Sequence, residues 1–147
     1  MKTIYDKTTR DELIGRISRL DGGNKAQWGK MTLYQMLKHC SMWEEMILGK
    51  KKYGRAFIGR LFGKLALKTV LKDERPLMRN SPTIADLIIT GEGDVDAEKA
   101  RWIALIEDHG RFSNPEFVHP FFGKMEKEQI GRMVYKHCDH HLRQFNG

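Results

Sequence analysis

The sequence has 147 residues, the usual length of one domain around one hydrophobic core. Hydrophobic residues make up 40% of the chain and charged residues 31%, which excludes an intrinsically disordered protein. The formal net charge is +7, but the segment from Lys50 to Arg75 has nine basic residues against two acidic ones, and the rest of the chain has 17 of each. The basic character is therefore local, which argues against a general nucleic-acid-binding surface.

The N-terminus and the cysteines indicate the cellular compartment. The sequence MKTIYDKTTRDEL lacks the apolar core of a secretion signal. No segment reaches the roughly 18 apolar residues that a membrane-spanning helix needs. Cys40 and Cys138 each follow a histidine within a helical pattern, and we expect both to be reduced core thiols. These features predict a cytoplasmic protein.

The first two predicted helices begin with the spacing of a capping box. Thr9 and Glu12 have this spacing in the first helix, and Thr32 and Gln35 repeat it in the second. Apolar residues recur at helical intervals after each cap, and both patterns end at a glycine. His39 lies on or beside the inward face of the second helix.

The basic segment from Lys50 to Arg75 predicts an amphipathic helix, weakened by Gly59 and Gly63. One side of it carries the large apolar residues Ile58, Leu61, Phe62 and Leu65. Another side carries the basic residues Arg60, Lys64, Lys68 and Lys72. A solvated face on a crossover helix is the simpler interpretation. The alternative is a role at an anionic membrane surface or on nucleic acid.

A long crossover follows the basic segment. Its sequence, RPLMRNSPTIADLIITGEGD, contains Pro76, Pro82 and paired glycines. These residues argue against a long helix or strand there. The hydrophobic alternation from Ile84 to Ile89 is the only sign of a strand in the chain. We expect an extended connection.

Two more main helices complete the pattern. Asp94 or Asp96 can cap a third main helix, which ends near Gly110. After a loop, the last helix starts around Glu126 and runs to about Phe145.

Two histidines of the last helix have the spacing of a metal-ligand pair. His137 and His141 are four residues apart and therefore lie on one helix face. Such a pair supplies two imidazole nitrogens to Zn²⁺, Ni²⁺ or a related cation but cannot complete its coordination. His39 is the natural third donor because its helix pattern buries it. Three imidazoles leave a position for water or substrate, whereas a hydrogen-bonded histidine cluster without metal is the alternative.

Other residues compete for roles around this site. His140 can replace His141 as a ligand, or contact the substrate from outside the ligand set. His119 either approaches the mouth of the site or packs within its loop. His109 is interpreted as the cationic end of the third main helix. Gln144 either orients a ligand or is a solvated cap.

Three segments together resemble the DinB/YfiT-like superfamily of metalloenzymes, namely WGKMTLYQMLKHC, HPFFGKM and YKHCDHHLRQF. The resemblance is strongest to its small, uncharacterised bacterial branch with a HxxHHLRQF-type C-terminal motif. It implies an all-α fold, a four-helix bundle with a long crossover, and we expect that crossover to contain an additional short amphipathic helix. Residues 1–147 would form one domain. The resemblance also implies that His39, His137 and His141 bind Zn²⁺ or Ni²⁺.

The resemblance further implies a reaction class. The superfamily includes thiol-dependent S-transferases and a thiol-dependent maleylpyruvate isomerase, in which the metal activates a low-molecular-weight thiol. We therefore expect a metal-dependent transferase or hydrolase, with His140, Arg143 or Gln144 contacting a small-molecule substrate. The alternative is a non-catalytic metal-binding or interaction protein of the same fold.

One departure from the family pattern affects Arg143. The wider family commonly has His-His-Arg-Gly-Gln, where this chain has His140-His141-Leu142-Arg143-Gln144. The arginine is shifted by one residue, about 100° around the helix, which argues against its binding a thiol carboxylate. The Met-rich and aromatic helix faces are compatible with a homodimer, although they pack equally well internally.

Overall fold

The computed structural model describes residues 1–147 and is mostly helical, in agreement with the predicted all-α class. Its five α-helices are α1 (Lys7–Ser18), α2 (Leu33–Ile47), α3 (Phe57–Val70), α4 (Val95–Asp108) and α5 (Lys127–Gln144). The shorter elements are a 3₁₀ turn (Ala85–Leu87) and two antiparallel strands, β1 (Val118–His119) and β2 (Gly123–Lys124). None of the helices combines the length and the hydrophobicity that crossing a membrane requires.

Four of the helices pack against one another, and α3 lies apart from them. Helix α2 contacts α4 and α5, and α1 contacts the same two helices. Between them lies one apolar cluster of 23 buried residues. Helix α3 has its principal contacts with β2, and the 3₁₀ turn lies against α2. The crossover therefore passes beside the helix that carries His39.

The helix starts agree with two of the three predicted caps. Thr32 Oγ1 accepts from the Gln35 amide, and Gln35 Oε1 accepts from the Thr32 amide, so the capping box of α2 is confirmed. Asp94 caps α4 through the amide of the third helical residue. The cap predicted at Thr9 is wrong, because α1 begins two residues earlier and Thr9 faces the interior.

The strands lie in a different place from the strand-like sequence signal. The alternation from Ile84 to Ile89 contains the 3₁₀ turn and forms no strand. The two short strands instead form a hairpin in the loop before α5, where the sequence carries no strand signal. A two-residue strand is too short to show alternation, so the pattern could not reveal it.

Helix α3 exposes both its apolar side and its basic side, and buries a third side instead. Gly59, Gly63 and Leu67 are buried. The large apolar residues are exposed, namely Phe57, Ile58, Leu61, Phe62 and Leu65. A Cβ at either glycine would overlap the carbonyl oxygen of Phe121, so the α3 backbone lies directly on the hairpin. The predicted helix is present, and its glycines are contact positions.

Candidate metal centre

Three histidine side chains converge between α2 and α5. His39 lies in the middle of α2, and His137 and His141 lie one turn apart on α5. One ring nitrogen from each lies within 4.8 Å of the others, and each residue is at most 7% exposed. The structure thus brings the three predicted ligands together. Their binding of a metal stays a prediction.

Hydrogen bonds determine which nitrogen is free in two of the rings. His39 Nδ1 lies 2.9 Å from the carbonyl oxygen of Leu87, and it must donate because a carbonyl only accepts. His141 Nδ1 lies 2.9 Å from Oε1 of Gln144, whose amide nitrogen donates to the carbonyl of Trp28 at 2.9 Å. This second bond orients the Gln144 amide so that its oxygen accepts from His141. Both rings then present an unprotonated Nε2, the form that binds a metal.

The third ring, that of His137, fits the same set. It stacks on Trp43 with 4.1 Å between the ring centroids and 15° between the planes. Its Nδ1 is buried without a hydrogen-bond partner, and its Nε2 lies 3.2 Å from Nε2 of His39. Two nitrogens bound to one ion at ~2.0 to 2.1 Å, at angles of about 90° to 110°, would be separated by about 2.9 to 3.4 Å. The separation of this one pair is compatible with a shared divalent ion, and the metal-free alternative for the pair is an N–H···N bond from His137 to His39.

Burial disfavours the charged form of all three rings. Desolvation lowers the pKa of His39 from its ordinary value. It brings the pKa of His137 and of His141 well below that value, and the neighbouring histidines add to the effect. Neutral imidazole is the form in which histidine coordinates a metal. The electrostatics of the pocket are therefore compatible with the ligand role.

The candidates for substrate contact on α5 lie at different distances from this cluster. The His140 ring stands edge-on to His141, with 5.1 Å between centroids, but His140 is not part of the potential ligand set. Gln144 contacts His141 directly. Arg143 is not brought to the cluster, because it lies on the other side of α5 and its Nε donates to Asp139 Oδ2 at 2.7 Å.

The two remaining histidines lie outside the cluster. His119 Nδ1 accepts from the backbone amides of Phe121 and Phe122 at 3.1 and 3.2 Å, which are contacts within its own loop. Its ring centroid also lies 6.5 Å from that of Trp43, the residue that stacks on His137. Burial lowers the pKa of His119 to about 4. His109 is at the C-terminal end of α4, as predicted, but it does not face solvent. It is buried, with Nε2 2.7 Å from Oε2 of Glu44.

Sequence reasoning missed Glu44. Its side chain is fully buried, and besides His109 it contacts Cys138, whose Sγ donates to Oε1 at 3.2 Å. The available signal was its position, because Glu44 continues the apolar stripe of Leu37 and Cys40 at helical spacing. A charged residue on such a stripe requires a buried partner. Both cysteines are free and buried, as predicted, and burial raises the pKa of each thiol.

The fold and the site define a helical protein with three buried histidines that can hold a metal ion. The chain belongs to the DUF1569 family, described as a protein of unknown function, and the family model matches residues 4–147. Comparison with curated proteins and with solved structures gives no match.

Proposed function

We propose that this protein is a divalent-metal-dependent enzyme of the DinB/YfiT-like type, in which His39, His137 and His141 hold the ion. The observation that carries the proposal is the convergence of three buried imidazoles, two of which have Nε2 left free by a hydrogen bond at Nδ1. The sequence motifs shared with that superfamily support the same ligand set.

The proposed architecture is one domain over residues 1–147, a four-helix bundle of α1, α2, α4 and α5 with α3 on the crossover. The contacts among these four helices and the single apolar cluster between them support it. The site then lies between two bundle helices, which is a usual location for metal sites in such folds.

Zn²⁺ or Ni²⁺ suits the proposed donor set, because imidazole nitrogen is a favoured ligand of both. Three protein ligands leave at least one coordination position for water or a substrate. A bound ion would supply Lewis acidity and lower the pKa of a water or thiol in that position. The reaction we propose is therefore transfer of a low-molecular-weight thiol, or hydrolysis.

The chain's own residues have distinct tasks in this proposal. The carbonyl of Leu87 and the side chain of Gln144 each fix one ligand ring in the required tautomer. Trp43 covers one face of His137 and excludes water from it. His140 is our candidate for contact with the substrate, because it borders the cluster without belonging to it.

Metal analysis tests the site. Protein purified without chelator is expected to contain about one equivalent of Zn²⁺ or Ni²⁺ per chain. His39→Gln and His137→Gln should lose the metal, whereas His140→Gln, a buried histidine of the same cluster region, should retain it. A folded wild-type protein that stays metal-free after supplementation with Zn²⁺, Ni²⁺ and Mn²⁺ would contradict the proposal.

Cobalt substitution separates an enzyme from the non-catalytic alternative, a metal-binding or interaction protein of the same fold. Low exposure of the three histidines is the observation that favours this alternative. For the enzyme we expect 2-mercaptoethanol to produce a sulfur-to-cobalt charge-transfer absorption, because an open position accepts the thiolate. A cobalt spectrum that neither thiol nor azide changes would indicate a closed structural site.

A further inference from the structure

Helix α3 presents an apolar surface that no other part of the chain covers. We call it the α3 face, and its five side chains are between 58% and 74% exposed, namely Phe57, Ile58, Leu61, Phe62 and Leu65. Single exposed apolar residues are normal on protein surfaces. Five large ones together on one helix indicate a binding surface.

Packing holds the α3 face toward solvent. Gly59 and Gly63 lie so close to the carbonyl oxygen of Phe121 that neither position has room for a Cβ. Leu67 is buried on the same side of the helix. Turning α3 to bury its large residues would force bulky side chains against the hairpin backbone. The outward orientation is therefore a property of the folded chain.

The charge beside the α3 face has one sign. Residues 50 to 72 contain eight basic residues and no acidic residue. The basic residues between Lys50 and Arg75 that form salt bridges are Lys50, Lys51 and Arg75. No salt bridge involves the four basic residues between Arg60 and Lys72. Arg60, Lys64 and Lys68 form a basic stripe along one edge of the α3 face, and Lys72 follows just after the helix ends. Lys64 Nζ donates to the backbone carbonyl of Lys124.

We infer that the α3 face binds the surface of an anionic lipid bilayer. Its apolar side chains enter the boundary between headgroups and acyl chains, and the basic stripe meets the anionic headgroups. A helix with a large apolar face and a lysine-rich edge has the chemistry of an interfacial amphipathic helix. The surface is independent of the proposed metal site.

Charge argues against the other occupants. A symmetric contact with a second copy would bring two basic stripes together, and like charges across an interface are unfavourable. Nucleic acid would use the basic stripe but leave the five apolar side chains without a partner, because phosphate contacts are electrostatic. A bilayer surface uses both parts of the face.

Vesicle flotation of the 147-residue chain tests the inference. We expect binding at low salt to phosphatidylcholine vesicles that contain phosphatidylserine, much weaker binding at high salt, and little binding to phosphatidylcholine alone. Leu61→Ser with Leu65→Ser should weaken binding about tenfold or more. Each charge removed by Arg60→Gln, Lys68→Gln or Lys72→Gln should weaken it about fivefold.

Controls keep the result specific to α3. Phe112→Ser removes an exposed aromatic residue outside the α3 face and should leave vesicle binding unchanged. Circular dichroism and thermal unfolding should show that all variants fold, because the changed side chains are exposed. No binding by the wild type at low salt, or equal binding by the double serine variant, would overturn the inference. A dimer that the serine variant dissociates, without vesicle binding, would also overturn it and assign the face to a second copy.

Discussion

Helix α5 buries polar side chains, whereas helix α3 exposes large apolar ones. The buried polar residues of α5 include the two proposed ligands and four others, namely Lys136, Asp139, His140 and Gln144. Helix α3 buries two glycines and a single leucine. The residue types alone would assign the interior to α3 and the surface to α5, and the structure shows the reverse for these side chains.

The difference between the two helices shows that the groups packed against a helix, and not its residue types alone, determine which face is buried. On α5, Lys136 Nζ donates to the carbonyls of Val70 and Asp73 at 2.7 and 2.9 Å, and Asp139 accepts from Arg16 at 2.8 Å. Burial of Lys136 and Asp139 is tolerated because both are hydrogen-bonded. On α3, close backbone approach leaves room only for glycine. Separate substitutions can remove the buried polar contacts of α5 and the close backbone contact of α3.

The largest effect is expected from breaking the buried network that anchors α5 to α2 and α4. Glu44→Ala leaves His109 and Cys138 without their shared acceptor, and we expect the free energy of unfolding to fall by about 3 to 5 kcal/mol. Denaturant unfolding measures it. The matched control is Glu128→Ala on the surface of α5, where the pair with Arg132 is exposed and the change should be within about 0.5 kcal/mol. Similar losses of unfolding free energy in the two variants would contradict the stabilising role of the buried Glu44 network.

Acid should weaken the hairpin on which α3 lies. His119 has a folded pKa of about 4, below the unfolded value of about 6.5, because the ring is buried. Its contribution to stability is full above pH ~6.5 and is lost as the pH falls toward ~4, because the unfolded chain binds the proton first. The total is on the order of 3 kcal/mol.

Comparison with His119→Gln isolates this contribution, because the other histidines titrate in both proteins. The difference in unfolding free energy between wild type and variant should narrow as the pH is lowered from about 7 to about 4. A difference that stays constant over this range would show that the His119 ring is not kept neutral by burial.

Polar burial on α5 should matter for metal affinity as well as for folding. Gln144→Ala removes the acceptor that holds the His141 tautomer, so we expect the proposed site to lose about 10- to 100-fold in Zn²⁺ affinity. Competition with a chromophoric chelator measures it. Gln129→Ala is the control, because Gln129 lies in the first turn of α5, away from the three histidines. Its Oε1 accepts a hydrogen bond from the backbone amide of Glu126. Equal Zn²⁺ affinities in the two variants would show that Gln144 does not support metal binding by His141.

The candidate site was predictable from the sequence to the extent that its residues are related by local spacing. His137 and His141 share a face by their four-residue separation, and the pattern of α2 placed His39 inward. The groups that orient these rings were less accessible. The Leu87 carbonyl belongs to a crossover 48 residues from His39, and backbone carbonyls carry no sequence signature.

The parts of the fold that depend on local sequence were predictable, and those that depend on distant residues were not. The five helices follow from periodicity, with correct caps at α2 and α4, and both signals depend on neighbours within one or two turns. The orientation of α3 depends on the hairpin, which lies some 60 residues later in the chain. Periodicity separated the apolar side from the basic side, but the hairpin covers neither of these two sides. It covers a third side, which carries Gly59, Gly63 and Leu67.

The smallest expected effects test that orientation directly. Gly63→Ala in α3 forces a Cβ into the carbonyl of Phe121, and we expect a loss of about 1 to 3 kcal/mol in unfolding free energy. Gly15→Ala in α1 is the matched control, because its Cβ would have only Arg19 Nη1 nearby, at 3.7 Å. That change should stabilise the protein by about 0.5 to 1 kcal/mol through helix propensity. Since propensity favours alanine at both sites, opposite signs isolate the contact with the hairpin. If both variants gain stability, the glycines do not hold α3 on the hairpin, and the outward direction of its apolar side chains needs another cause.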